Sequence, residues 1–104
     1  MKVYILKKSI TDLKNPIITK EFETNSKTVQ DLIIEMVTKN YTNKIKDSLT
    51  ECIKYAIEEF IDGSYYIINK TKDIHYKTID EQLLLNEEDE LILIKLKYVR
   101  GIIW

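Results

Sequence analysis

The chain is poor in the residues that cross-link, punctuate or catalyse. It has one cysteine, Cys52, so neither an intramolecular disulfide nor a cysteine-built metal site can form. Its one histidine, His75, stands far from Cys52 in sequence, and nothing ties the two into a nucleophilic pair. Two glycines and one proline leave little turn chemistry, so connections must be short or polar. No Gly-rich phosphate loop, nucleophile motif or zinc spacing occurs, which argues against an enzyme and against a bound cofactor or metal. Nothing approaches the 18 or more consecutive apolar residues of a membrane helix. At the start, Val3 to Leu6 give four apolar residues before Lys7 and Lys8, too few for the roughly 7–15 of a signal-peptide core. A cytoplasmic location is the expectation. Charge of one sign is missing too: Lys+Arg 16 against Asp+Glu 17, interleaved throughout. Nucleic acid, which needs clustered cations to displace counterions from phosphate, is therefore not an expected partner.

What is present is globular. The 104 residues are 44% hydrophobic and 32% charged, enough for one domain that buries about two thirds of its unfolded surface. Residues 2–10 are apolar and β-branched, with Val3 and Ile5 on one face and Tyr4 and Leu6 on the other. They predict a strand, and 17–23 a second, joined by the turn Thr11–Pro16 into an antiparallel hairpin. Thr28 reads as an N-cap before Val29, Leu32, Ile33, Met36 and Val37, one helical stripe. Ser48 and Glu51 form a capping box before a second stripe, from Leu49, Cys52 and Ile53 to Phe60 and Ile61. Gly63 then stops the helix. Period two returns in 65–69, 74–78 and the long apolar run 90–99, read as a central strand. Residues 79–85 fit either a helical turn or a strand.

Three stretches carry a resemblance. Thr28-Val29-Gln30-Asp31-Leu32-Ile33 looks like the start of the helix of ubiquitin-like proteins. Tyr66 to Lys72 looks like their third strand and tight turn, and Leu85 to Ile94 like their acidic turn and last strand. The chain thus resembles the ubiquitin-like β-grasp superfamily, and its second half is similar to small bacterial proteins of the YukD type, found with secretion systems. The resemblance implies an α+β fold: a mixed sheet of four or five strands, packed on one face by two helices, with the first and last strands parallel at the centre. It covers one domain, 1–104, apart from a helical insertion at about 40–63 and an apolar tail, 100–104. The acidic turn departs from the family in lacking glycine. A ferredoxin-like packing is the rival, because the second helix stands between strands.

The resemblance directs attention to the tail Arg100-Gly101-Ile102-Ile103-Trp104. Ubiquitin-like modifiers and the sulfur carriers of thiamin and molybdopterin synthesis end in Gly-Gly, on a slim tail that reaches an activating enzyme. Here a single Gly101 is followed by three bulky residues, so such a role would need cleavage after Gly101. Otherwise the tail either folds back on the domain or serves as a docking or dimer contact, since an exposed Ile-Ile-Trp would be an aggregation liability and Trp is enriched at binding hot spots. Tyrosines are the second signal: Tyr4 with Leu6, then Tyr65 or Tyr66, Tyr76 and Tyr98 put rings on the sheet, and some of them, Tyr4, Tyr66 and Tyr98 as candidates, would lie on the face that the helices leave open. Ubiquitin-like domains commonly bind partners there, although Tyr is also common in half-exposed strands. Cys52, on an apolar stripe, reads as a buried inert thiol. Glu87-Glu88-Asp89-Glu90 reads as a solvated turn.

These observations converge on a non-catalytic protein-interaction or adaptor module of a bacterial multiprotein system. Its candidate contact residues are Tyr4, Leu6, Tyr66, Tyr98, Arg100, Gly101, Ile102, Ile103 and Trp104, and a homodimer through the tail is one arrangement. The alternative is a modifier or sulfur-carrier-type protein processed after Gly101.

Overall fold

A computed structural model describes residues 1–9 and 18–103. The expected hairpin turn, the two strand ends flanking it and Trp104 lie outside the described residues. Five strands and two helices follow in the order β1 (Lys2–Ser9), β2 (Ile18–Glu23), α1 (Val29–Asn40), α2 (Leu49–Ile61), β3 (Tyr65–Asn69), β4 (Ile74–Tyr76) and β5 (Glu90–Lys95). They make one sheet of order β2-β1-β5-β3-β4. β1 and β5 are parallel at its centre, with Leu6 opposite Ile92, and every other pairing is antiparallel. This is an α+β fold consistent with a β-grasp, with the helices packed on one face of the sheet.

The side-chain period of two sorts the strands. Val3, Ile5, Tyr65, Ile67, Leu91 and Leu93 point inward, each at most 3% exposed. They meet the predicted stripe of α1 and Cys52, Ala56 and Phe60 of α2 in one core cluster. Ile61, placed on that stripe by spacing, is instead 64% exposed. Thr28 caps α1 by accepting from the Asp31 amide, and Ser48 caps α2 by accepting from that of Glu51. The expected reciprocal box is altered, because the Ser48 hydroxyl donates to the Glu51 carboxylate, at 3.1 Å. Segment 79–82 is a turn ending in a bridge from Gln82 to Thr28. The Ile79 and Glu81 carbonyls there accept from the first amides of α1.

The last strand is shorter than its apolar run suggested, ending at Lys95 and not at Val99. The reason is pairing: Lys95 stands opposite Tyr65, the first residue of β3. Beyond it the Leu96 amide donates to the Ser64 carbonyl, and the chain leaves the sheet.

Candidate functional site

The outward positions of the sheet form a second, smaller apolar surface. Leu6 pairs with Ile92, Ile92 with Ile68, Ile94 with Tyr66, and Ile68 with His75. Ile68, Ile92 and Ile94 are half-buried, Tyr66 is 36% exposed, and its ring lies 4.9 Å from the His75 ring. These aliphatic side chains touch neither helix layer, since the core and the residues packed against it come from the other face. Tyr4 is half-buried at one end of the patch, with Lys2 Nζ 5.5 Å from its ring centre. Leu6, although outward, is buried at 7% exposure among its neighbours. It serves as the floor of the patch and not as its rim.

The remaining tyrosines divide differently from the expectation of rings on the open face. Tyr65 and Tyr76 point into the core, where their hydroxyls donate to the carbonyls of Ala56 at 2.6 Å and Leu83 at 2.7 Å. Burial pushes both phenols up from their usual range. Tyr98 lies past the end of β5 and is 85% exposed, so it is not part of the sheet surface. Ile68, Ile92 and Ile94 were readable as a patch from the register alone, but the continuous run 90–99 hid which residues face outward.

The tail folds onto its own domain. The Glu59 carboxylate accepts from the amides of Arg100 and Gly101, at 2.5 and 2.7 Å. Asn40 Nδ2 donates to the Ile102 carbonyl at 2.6 Å. The Arg100 guanidinium lies 4.2 Å from the centre of the Tyr55 ring, with Nε 3.8 Å from the Asp47 carboxylate. Ile103 is fully buried in the core, and Ile102 packs against it. Of the two expectations for the tail, residues 101–103 follow the one in which it folds back on the domain. Their apolar surface is satisfied within the chain, because Gly101 has no side chain to hold the tail off α2.

A second concave surface, an open groove of about 440 Å³, runs between residues 24–28 and 82–85, with Met1 beside it. Leu84, 67% exposed and at φ 50°, stands on its rim. Beside it, Glu35 takes hydrogen bonds from Thr24 and Ser26. At the same end of the sheet lies a buried polar cluster: Asp89 accepts from Asn69 Nδ2 at 3.1 Å and from the Asn86 amide at 3.0 Å. Lys72 Nζ stands 3.3 Å from the same carboxylate. Among the described residues no three His, Cys, Asp or Glu side chains are grouped to hold a metal ion, and no helix is long and apolar enough to cross a membrane. Cys52 is buried, and desolvation pushes its thiol up.

No protein-family model matches the chain, and no curated protein matches it.

Proposed function

We propose that this chain is a non-catalytic protein-interaction module, an adaptor in the cytoplasm of a bacterium, whose contact surface is the face of the sheet opposite the helices. The observation that carries the reading is the stripe of Ile68, Ile92, Ile94 and Tyr66, partly exposed and separate from the core. Aliphatic surface of this kind gains free energy when a partner removes it from water. Tyr66 brings a ring that can bury area while its hydroxyl stays wet. The likeness to bacterial ubiquitin-like proteins favours a partner within a multiprotein system. The processed-modifier reading draws no support from the tail, whose Gly101 is clamped by Glu59 against Ala56.

The test uses Ile94→Glu, which places a charge on the outward face while leaving the core side chains untouched. Tagged wild-type and variant chains are recovered from the cells that make them. A partner retained by the wild type, lost with Ile94→Glu and retained by Tyr98→Ala supports the reading. Equal retention by the Ile94→Glu chain, with an unchanged circular dichroism spectrum, overturns it.

A further inference from the structure

We infer that the sheet face takes a second copy of this chain, the two sheets stacking face to face with their strands antiparallel. The inference rests on the reading of that face as a contact surface, and it names the occupant. Charge along the strands is the argument. Where β1 begins, register puts Glu21 beside Tyr4, Glu23 beside Lys2 and Glu90 beside Tyr4, all pointing outward. Glu88 is close enough to raise the Lys2 ammonium, together with Glu21 and Tyr4, whose hydrogen bond is the largest influence. Lys2, Lys70 and the Met1 ammonium, which pairs with Glu23 at 3.2 Å, are the cations at that end, so the four carboxylates of Glu21, Glu23, Glu88 and Glu90 exceed them by one. At the opposite end Lys8 stands exposed beside Ile94, and Lys77 follows β4. The face is therefore acidic at one end, aliphatic in the middle and basic at the other.

A face with opposite ends of opposite sign complements itself when one copy is turned end for end. A two-fold axis in the interface, perpendicular to the strands, does this: it brings the Lys8 end of one copy toward the Glu21 and Glu90 end of the other. The same operation lays the Ile92 and Ile94 rows of the two copies together. Such an interface is isologous, and two-fold dimers are the commonest closed assembly. Twisted sheets stack in this way with strands within about 30° of one another. Residues 100–103, held on the helix side, take no part. With strands about 4.8 Å apart, the patch is a few hundred Å² on each copy, below the roughly 800 Å² per partner of a stable interface. The dimer is thus weak, and forms at high concentration or when the chains are held near each other.

Sedimentation equilibrium of the full chain from micromolar to millimolar concentration tests this. The expected result is a monomer–dimer equilibrium that Ile94→Glu abolishes. Lys8→Glu and Glu90→Lys each weaken it several-fold, and the double variant recovers it, with all four chains folded by circular dichroism. A monomer throughout, or a dimer indifferent to Ile94→Glu, overturns the second-copy inference. Neither result touches the contact-surface reading, which the recovery experiment with Ile94→Glu judges separately.

Discussion

Gly101 lies so close to Ala56 that a Cβ built on it would stand 2.7 Å from the Ala56 Cα. The obstacle is helix backbone, which has no rotamer to yield. Gly101→Ala must therefore push the tail away from α2, straining the two Glu59 hydrogen bonds and loosening Ile103. Overpacking of this kind costs about 1–3 kcal/mol. Thermal unfolding is expected to fall by several degrees, whereas Gly63→Ala, which meets no atom but sits at φ 81°, acts through backbone strain alone and leaves the tail in place.

Glu88 occupies φ 67° in the acidic turn, a turn that in the family it resembles usually carries a glycine. A left-handed conformation costs a residue with a Cβ roughly 1–2 kcal/mol, while glycine adds unfolded-chain entropy that offsets part of the gain. Glu88→Gly is expected to stabilise the fold by about 0.5–1 kcal/mol. The Glu88 amide, which donates to the Lys2 carbonyl at 2.8 Å, is retained. Chemical denaturation measures the change, and a loss of stability would mean that the Glu88 side chain contributes more than its backbone costs.

Asp89 gives the fold an acid limit. Burial alone would raise its carboxyl, but bonds from the Asn86 amide, Asn69 and Lys72, with the Lys72 charge, hold it below the usual range. A group depressed on folding contributes stability above its unfolded value of about 3.9, and that contribution is lost as pH falls through the lower folded value. Denaturation midpoints are expected to drop as pH is lowered below about 4. Asp89→Asn should remove this part of the acid dependence and cost about 1–3 kcal/mol at neutral pH, since Lys72 loses its buried partner. An unchanged acid profile in the variant would assign the acid sensitivity to other carboxylates.

Much of the fold was legible because its signals are local. The stripe Val29–Val37 needs only its spacing and the Thr28 cap, and the structure buries every member. Strand order was legible through resemblance, not through spacing, since periodicity cannot say which strands pair. The tail shows the limit. For Gly101, Ile102 and Ile103 the sequence leaves fold-back and docking both open, because their partners, Ala56, Glu59 and Asn40, lie more than forty residues earlier in the chain. Tyr98 was misplaced for a related reason: apolar character continues past Lys95, but the pairing with β3 does not. The outward patch was half legible: Tyr4, Leu6 and Tyr66 were named, Ile68 was not, and Ile92 and Ile94 were absorbed into a run read as largely covered on both faces.

Ile94 and Ile103 separate contact from folding. Ile103 is fully buried in the core, so Ile103→Ala removes packed volume and is expected to cost about 2–4 kcal/mol. Partner recovery should then fall only in proportion to the folded fraction. Ile94 is half-buried on the outward face, where Ile94→Glu is expected to cost less than about 1 kcal/mol and yet abolish recovery. Comparing recovery per folded molecule, with the folded fraction taken from denaturation curves, places the two variants on different axes. If Ile103→Ala abolishes recovery at conditions where the chain is still folded, the tail belongs to the contact surface. If Ile94→Glu lowers stability as much as Ile103→Ala does, the outward patch is a second core and not a contact surface, because only side chains already removed from water resist a charge so strongly.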